Sequence, residues 1–397
     1  MRLVERGAQP TRVAVIGTGF VGRHFVMELL RRPDTYSLAR VLTRRRPDQV
    51  RDFPAPAALT DSLDSLIESA DIVLECSGDV RFATETVGRI LAAGKPVVTL
   101  GPEFHVTTGS AFVGKGLLTE GEGDQPGSQA SLHEEAVTFG FEPLVYGNIK
   151  GFLNRHPTPE DMRFWAEKQG ISIPMVTSFT DGTKLQVEQC LVGNYFGTDI
   201  AQEELLGPEG DDLRELGTKL GEAALAGGRP IVDYVLSRKL PHGVFLVGRH
   251  DPAQRDALRY LKMGDGPIYT LLRPQIYVHL EVFRTIERVV RGGGILLDNS
   301  AAPELSVATV AKRDLVPGER IERGCGSFDL RGICVRMVEH PSHLPIGLAE
   351  DLVVKRKVEA GQLVAMDDVE LPESLALTLW GEIVDRVTVR PRNRGAA

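Results

Sequence analysis

The stretch RVAVIGTGFVGRHFVMELLRR, residues 12–32, decides the fold. Its apolar residues up to Ile16 predict a buried strand, and the apolar positions from Phe20 onward predict a helix. Between them, Gly17, Gly19 and Gly22 form the pattern GxGxxG. These glycines permit a tight turn, close approach of a pyrophosphate to the backbone, and close helix–strand packing. We therefore predict a dinucleotide site with its phosphates at the helix N-terminus; the alternative is a glycine-rich turn without a ligand.

Strand and helix patterns continue to alternate after this motif, in SLARVLT, DSLDSLIESA, DIVLECSG, RFATETVGRILAAG and PVVTLG. The alternation predicts an α/β fold with a Rossmann-like doubly wound parallel sheet. We assign this NAD(P)-binding domain to residues 1–150. Besides the three glycines, we expect four residues to contact the cofactor: Phe20, Val21, Ser77 and Gly78.

The end of the second predicted strand reads VLTRRR, residues 41–46. NAD-binding sheets usually carry an acidic residue about 20 residues past the glycine motif, which binds the ribose hydroxyls. No acid occurs here, whereas Arg44 and Arg45 offer a guanidinium fork that matches a 2'-phosphate. The sequence therefore favours NADP(H) over NAD(H) as the cofactor. The alternative is that the arginines belong to a solvated loop.

The rest of the chain predicts two further units. Residues 151–304 mix helical and strand patterns and are assigned to an α+β substrate domain. Two segments, VATVAKRDLVPGERIERG and DLVVKRKVEAGQLVAMDDVELP, each read as strand, turn and strand, so we assign residues 305–390 to a small β-rich module preceded by a linker. The polar tail RPRNRGAA is predicted to be disordered.

Composition narrows the class of protein. The chain has 397 residues, 42% of them hydrophobic, which allows two or three domains. A net charge of −8 with mixed signs argues against a nucleic-acid-binding protein. No apolar run reaches the roughly 18 residues of a membrane span, and the first twelve residues lack a secretory signal. The scattered cysteines form no CxxC pair, so we expect a cytoplasmic protein with reduced thiols and no structural zinc.

The segment VTSFTDGTKLQVEQCLVGNYF, residues 176–196, is predicted to be one buried helix. Asp181, Lys184 and Glu188 would then lie on a single polar face. In the functional interpretation, burial lowers the pKa of Lys184, which acts as general acid/base. Glu188 would hold its ammonium, and Asp181 would orient substrate hydroxyls. The alternative is a solvated Lys184–Glu188 pair with Asp181 as a helix cap.

Other polar residues complete the predicted site. Asp124 and Gln125 lie in a glycine-flanked loop and are expected to face the nicotinamide, as a catalytic residue and a substrate ligand respectively; the alternative is that they only form the turn. Arg273 could pair with a substrate phosphate or carboxylate. His279, on a predicted strand, is a further substrate candidate, although a core histidine is more common there.

A divalent metal is a further candidate cofactor. Oxygen ligands would come from Asp124, Asp181, Glu188 and Glu103. His340 and His343 show HxxH spacing but lack partner ligands, which makes them a poor metal site.

Several segments together resemble the homoserine dehydrogenase-like oxidoreductases that carry a C-terminal SAF domain, a group that includes enzymes like 1-deoxy-D-xylulose 5-phosphate reductoisomerase. The resemblance is carried by VAVIGTGFVGR, GNIKGFLN, EGDQPGS, SFTDGTKLQVE, RPQIYVHLEV and VAKRDLVPGERI. It implies a nicotinamide-dependent oxidoreductase, a substrate domain after the Rossmann-like sheet, a SAF module and a homodimer. Two departures are Ile276, near a position where relatives tend to have histidine, and VVTLGPEFH, which lacks the lysine of homoserine dehydrogenases.

These observations favour an NADP(H)-dependent dehydrogenase or reductoisomerase. The expected substrate is small, anionic and polyhydroxylated, such as a sugar phosphate or a branched sugar acid. A non-enzymatic regulatory protein that binds a dinucleotide or carbohydrate is one alternative, and a homoserine dehydrogenase is another.

Overall fold

A computed structural model describes residues 9–50 and 52–389. The first domain is built on a six-stranded sheet whose strands are β1 (Thr11–Ile16), β2 (Tyr36–Leu42), β3 (Leu59–Thr60), β4 (Ile72–Glu75), β5 (Val97–Thr99) and β6 (Leu118–Glu120). The helices between them are α1 (Phe20–Leu29), α2 (Leu63–Ser69), α3 (Val80–Ala92) and α4 (Pro102–Thr108). Neighbouring strands pair in parallel in the order β3-β2-β1-β4-β5-β6. The predicted Rossmann-like doubly wound sheet is thereby confirmed, with the reversal of strand order between β1 and β4.

The middle of the chain forms a separate mixed sheet. Its strands are β7 (Glu142–Lys150), β8 (Ile231–Leu236), β9 (Val244–Arg249) and β10 (Ile268–Arg273), in the order β10-β9-β7-β8. Its helices are α5 (Gln125–Thr138), α6 (Pro159–Gln169), α7 (Ile173–Thr180), α8 (Thr183–Phe196), α9 (Leu213–Gly227), α10 (Arg255–Tyr260) and α11 (Val278–Val290). Strand β7 falls within the range predicted for the first domain but pairs with β8 and β9 here. Helix α11 returns to the first domain, where Phe283 stacks on Phe25 of α1.

The prediction of one continuous helix over residues 176–196 is wrong. Helix α7 ends at Thr180, and Gly182, with a φ of 87°, separates it from α8. A left-handed conformation, which glycine adopts without steric cost, ends a helix. Asp181 therefore lies in the break and does not share a helical face with Lys184 and Glu188. His279, predicted on a strand, lies in the first turn of α11.

The C-terminal part is β-rich, as expected, and closes with a helix. It contains β11 (Leu305–Ala311), β12 (Arg320–Arg323), β13 (Leu330–Arg336), β14 (Glu350–Val354), β15 (Val369–Glu370) and α12 (Leu375–Val389). Strand β11 pairs with β13, and β14 pairs with β12 and β15, all antiparallel. Strands β11 and β13 pack on α8, and α12 packs on α3 and α4, so this module shares its largest core with both other units.

The segment predicted as a linker before this module is packed. Asn299 is buried and accepts a hydrogen bond from Asn194 of α8 at 2.9 Å. That the module is a SAF domain stays a prediction. The tail predicted to be disordered lies outside the described residues, as do residues 1–8. Within the described residues, no helix is both long enough and apolar enough to cross a bilayer.

Candidate active site

The glycine loop after β1 has the geometry that the GxGxxG pattern requires. Gly17 has a φ of 115°, and a Cβ on Gly22 would lie 2.2 Å from the Gly17 carbonyl oxygen, so neither position tolerates a side chain. A Cβ on Gly19, by contrast, would meet no atom within 4 Å. Gly19 precedes α1, whose N-terminus no described side chain caps. The open position and the uncapped helix end fit a dinucleotide pyrophosphate.

Two of the predicted cofactor arginines border this loop. Arg45 donates to the hydroxyl of Thr18 at 3.0 Å. Arg44 forms an ion pair with Asp79 and lies over the ring of Phe82, 5.3 Å from its centroid. Both arginines follow β2, the strand next to β1 on the side where a dinucleotide's adenosine lies in sheets of this order.

A turn after β4 borders the loop on the other side. Glu75 is fully buried and accepts hydrogen bonds from the Ser77 backbone at 2.8 Å, the Ser77 hydroxyl at 2.6 Å and the Thr99 hydroxyl at 2.7 Å. Burial raises the pKa of Glu75. These contacts shape the turn at Ser77 and Gly78, which lies where the strand order reverses.

A cluster of ionisable side chains lies beyond β5 and β6, on the same edge of the sheet. Lys184 of α8 lies 3.3 Å from a carboxylate oxygen of Glu103 and 3.4 Å from one of Asp124. Glu103 follows β5, and Asp124 caps the N-terminus of α5 after β6. Strand β5 is two strands from β1, roughly 10 Å at the usual strand spacing. We call these residues, with Gln125, Asn148, Lys150 and Glu188, the lysine–carboxylate cluster.

Glu188 has partners other than the predicted one. Its Oε2 accepts a hydrogen bond from the Asn148 amide at 2.8 Å and lies 3.4 Å from the Lys150 ammonium. With its amide nitrogen facing the carboxylates, Gln125 donates to Asp124 at 2.8 Å and to Glu188 Oε1 at 3.0 Å. The predicted direct pair of Glu188 with Lys184 is therefore not formed, because Glu103 and Asp124 take the ammonium.

The predicted lowering of the pKa of Lys184 is also wrong. Burial acts to lower that pKa, but the carboxylates, first Asp124 and then Glu103, outweigh it and raise it above the ordinary value. Lys184 is consequently charged at neutral pH. Burial raises the pKa of Glu188 to about 7, even though Lys150 acts to lower it. Glu188 is therefore a group whose charge changes near neutral pH.

A neutral polar layer lies beneath the cluster. His105 Nδ1 is 2.9 Å from Glu120 Oε2, and both side chains are fully buried. Burial lowers the pKa of His105 to about 3 and raises that of Glu120 well above its usual range. Both shifts favour the uncharged forms of the pair, which limits the repulsion that Glu120 exerts on Asp124 and Glu103.

The loop between β6 and α5 is held in one shape by glycines. Gly123 has a φ of 106°, and a Cβ there would lie 2.1 Å from the Val278 carbonyl oxygen. A Cβ on Gly127 would lie 2.0 Å from the Gly121 carbonyl oxygen. These contacts press the loop against α11 and itself, which positions Asp124.

Comparison with known families supports the dinucleotide site that this geometry indicates. Residues 17–106 match the family model described as the NAD binding domain of homoserine dehydrogenase, and residues 123–282 match the catalytic domain of the oxidoreductase DRL. The chain is an oxidoreductase with a dinucleotide-binding domain. The second match contains Asp124, Lys184 and Glu188. No curated protein matches the sequence.

Solved structures with a similar fold are distant from this oxidoreductase. UDP-N-acetylglucosamine 3-dehydrogenase from Acidithiobacillus ferrooxidans is 12% identical, with a TM-score of 0.41 over 72% of this chain and 91% of that one. A probable dehydrogenase from Thermotoga maritima is 15% identical, with a TM-score of 0.41 over 72% and 90%. D-galactose-1-dehydrogenase from Rhizobium etli is 13% identical, with a TM-score of 0.40 over 75% and 93%. Similarity at this level carries no information on the substrate.

Three predicted residues of the oxidoreductase lie outside the cluster. Asp181 is buried, and Lys312 and the Thr183 backbone occupy its two carboxylate oxygens. Arg273 lies 2.6 Å from Glu122 and 2.8 Å from Glu281, so two carboxylates already neutralise it. His279 lies beside Phe20, with ring centroids 6.3 Å apart, near the glycine loop.

The predicted metal ligands do not form a compact set. Asp181 is taken by Lys312, and the Lys184 ammonium lies between Glu103 and Asp124, where a cation would bind. Within residues 9–50 and 52–389, one group of three candidate ligands converges, Glu203, Glu339 and His340, on a partly exposed surface.

The HxxH pair, a poor metal site by its sequence, does not converge on a common ligand position in the structure. His343 Nδ1 contacts the His340 carbonyl oxygen at 2.6 Å, and its Nε2 contacts the Ser306 hydroxyl at 2.7 Å. With both ring nitrogens engaged, His343 adds no ligand to His340.

Sequence reasoning missed Lys150 and Asn148 as members of the cluster. Both lie in GNIKGFLN, and Lys150 is the last residue of β7. An ionisable residue at the carboxyl end of a predicted strand is a signal that could have found Lys150. Nothing in the local sequence indicates that Asn148, in the interior of β7, reaches Glu188.

Proposed function

We propose that this chain is an NADP(H)-dependent dehydrogenase that interconverts a hydroxyl and a carbonyl group on a small polyhydroxylated molecule. The observation that carries the proposal is Lys184: a buried ammonium, charged at neutral pH, 3.3–3.4 Å from two carboxylates. The carboxylates orient this cation at the sheet edge that also holds the glycine loop.

The preference for NADP(H) is supported by Arg44 and Arg45. Gly17, Gly19 and Gly22 would hold the pyrophosphate, and the arginines after β2 would bind a 2'-phosphate. Both keep capacity for such a ligand, because Arg45 contacts a neutral hydroxyl and the Arg44 side chain is 58% exposed. When bound, the nicotinamide supplies or accepts a hydride.

Lys184 and Glu188 divide the remaining chemistry. Reduction of a carbonyl places negative charge on its oxygen, which a fixed cation stabilises without reorganisation. Lys184 has this role, and its raised pKa makes it a poor base. Glu188, whose pKa is about 7, gives up and takes back the proton, since a group that titrates near the working pH transfers protons efficiently.

The charge of the cluster favours hydroxyl groups on the substrate. Three carboxyl groups, those of Glu103, Asp124 and Glu188, face two ammonium groups, those of Lys150 and Lys184. Carboxylates accept hydrogen bonds from hydroxyls and repel anions. This balance supports the polyhydroxylated part of the predicted substrate class. The charge balance does not support the prediction that the substrate is anionic. Arg273, the predicted ligand of an anionic group, is already paired with two carboxylates.

The test is oxidation of NADPH by the purified protein with a panel of hydroxyketones, each with and without a phosphate group, and oxidation of homoserine with NADP⁺. We expect turnover with an uncharged polyhydroxylated ketone and loss of turnover in Lys184→Met. Lys219→Met, on the exposed face of α9, is the matched control and should keep full activity. A folded protein that binds NADPH but converts no compound would contradict the proposal and favour a binding protein.

Three further expectations extend this proposal. An isomerisation step would appear as a rearranged carbon skeleton in the product, detectable by NMR. A homodimer would appear in sedimentation equilibrium as twice the chain mass of 43.4 kDa. A cytoplasmic location would appear on cell fractionation.

A further inference from the structure

We propose that the C-terminal module holds Lys184 in place through the buried ion pair of Lys312 with Asp181, which makes Lys312 a positioning residue. This inference rests on the proposed role of Lys184. It gives the β-rich module a part in the reaction, although none of its side chains lies within hydrogen-bond distance of the lysine–carboxylate cluster in the described residues.

Because of the break between α7 and α8, the first turn of α8 needs contacts from other elements to fix its position. Gly182 interrupts the helix, so α7 cannot fix the direction of the first turn of α8. Lys184 is the second residue of that turn. Its ammonium must lie within about 3.5 Å of Glu103 and Asp124, two residues carried by other elements. Contacts from outside the helix must therefore set the position of the turn.

The ion pair with Lys312 supplies the first of these contacts. Lys312 donates to Asp181 Oδ2 at 2.6 Å and to the Ser327 carbonyl oxygen at 2.6 Å. Asp181 Oδ1 accepts from the Thr183 backbone amide at 2.8 Å. The side chains of Lys312 and Asp181 are 2% and 0% exposed. A chain of short, charge-assisted hydrogen bonds thus runs from the module to the residue before Lys184.

Strand β13 of the module adds two contacts to the same turn. The Gly332 amide donates to the Thr183 hydroxyl at 3.0 Å, and the Cys334 amide donates to Gln186 Oε1 at 2.9 Å. Thr183 and Gln186 flank Lys184, whose own side chain extends to α4 and α5 instead. The turn is therefore held from the module's side, while its ammonium faces the cluster.

A buried ion pair is a poor means of stabilising a fold but a good means of specifying geometry. Desolvation of both charges offsets most of their attraction, and an apolar pair of similar volume often does as well for stability. The directional hydrogen bonds of Asp181 specify its geometry relative to Lys312 and the Thr183 amide. Stability and positioning can consequently be separated by mutation.

The test uses the double variant Lys312→Met with Asp181→Asn in the full chain. The double change avoids an unpaired buried charge and keeps an oxygen that can accept from the Thr183 amide, so the thermal midpoint should stay close to that of the unmodified protein. We expect kcat to fall about a hundredfold, because a displacement near 1 Å has an effect of that size. The KM for NADPH should not change. Amide hydrogen exchange should rise in residues 183–187 and not in the six-stranded sheet.

A matched control is Arg336→Met with Asp199→Asn. Arg336 lies 2.8 Å from Asp199 and also joins the module to the rest of the chain, and Asp199 also accepts from a nearby backbone amide, that of Ile200, although both side chains are 28% exposed. This pair lies beyond the C-terminal end of α8, so kcat should change by less than about twofold, as expected for a site that does not contact the chemistry. Lys312→Gln, which keeps a neutral donor, should retain part of the kcat lost in the first variant.

The positioning role would be overturned by a stable double variant with unchanged kcat and unchanged exchange in residues 183–187. It would equally be overturned if the control lowered kcat as much. If the unmodified protein converts no compound, the proposed function fails, while hydrogen exchange still decides whether Lys312 holds the turn.

Discussion

The glycine loop after β1 and the lysine–carboxylate cluster after β5 and β6 lie on the same edge of one sheet, and they are built differently. The loop is a continuous stretch of six positions, Gly17 to Gly22, in which backbone geometry matters, as the φ of Gly17 and the tight approach at Gly22 indicate. The cluster draws Glu103, Asp124, Lys150 and Lys184 from four separate elements. The glycine loop depends on the absence of side chains, whereas the lysine–carboxylate cluster depends on charged side chains.

This difference separates binding from chemistry. Backbone amides at a helix end recognise a phosphate in any dehydrogenase of this fold, so the loop contributes to cofactor affinity. The cluster places the Lys184 cation near Glu188, whose pKa is raised to about 7, so in the proposed function it contributes to the rate. Mutations in the two regions should change different kinetic constants.

The largest expected effect is that of Lys184→Met in the lysine–carboxylate cluster. Loss of the cation removes the stabilisation of the developing oxyanion, which should lower kcat by about 10³-fold. The dissociation constant for NADPH, measured by fluorescence titration, should change little because the glycine loop is untouched. A comparable loss of NADPH affinity would remove the distinction between the two regions.

Glu188→Gln should lower kcat by about 10²-fold and abolish a pH dependence. In the direction of carbonyl reduction, Glu188 must be protonated, so kcat of the unmodified enzyme should fall as pH rises through about 7. In the direction of alcohol oxidation, kcat should rise over the same range. Glu135→Gln on the exposed side of α5 is the control; an identical pH profile in Glu188→Gln would assign the proton transfer to another group.

In the glycine loop, Gly19→Val should weaken NADPH binding by about tenfold or more, because the valine side chain would fill the space that the pyrophosphate needs. The fold should be retained, since a Cβ at Gly19 meets no atom within 4 Å. Gly22→Ala is the contrasting variant, and it should lower the thermal midpoint through the contact with Gly17. Calorimetric binding and melting curves separate the two outcomes. Equal loss of stability in both variants would contradict the assignment of Gly19 to the ligand.

Arg45→Ala should reduce the preference for NADPH over NADH by about tenfold, the typical loss for one charge-assisted contact. The ratio of kcat/KM for the two cofactors measures this effect. Arg46→Ala, which removes an exposed pair with Asp48, is the neighbouring control. An unmodified enzyme that already prefers NADH would show that the arginines belong to a solvated loop.

The last expected effect concerns stability and not a kinetic or binding constant. The folded pKa of Glu188 is raised from 4.5 to about 7, so the folded protein binds more protons than the unfolded chain between these values. The free energy of unfolding should therefore fall as pH rises through this window, by on the order of 1–3 kcal/mol relative to Glu188→Gln. Urea denaturation of both proteins at several pH values checks this. A difference that grows in the opposite direction would contradict the raised pKa.

The sequence alone determined the parts of this protein that depend on local rules. Glycine positions and the alternation of strand and helix predicted the loop and the doubly wound sheet, because backbone conformation is set within a few residues. Lys184 and Glu188 could be chosen as candidates because a charge in an apolar segment is visible locally, and Asp124 because it lies in a glycine-flanked loop. The partners of those charges were not predictable in the same way.

Only the tertiary structure decided which charged residues pair with one another. A two-residue break at Asp181 and Gly182 removed Asp181 from the predicted face and joined it to Lys312, 131 positions away. The carboxylates of Glu103 and Asp124 then reversed the expected direction of the pKa of Lys184. Electrostatic interactions act over a few ångströms of space and not along the chain, so a charge's behaviour depends on residues that no local pattern connects to it.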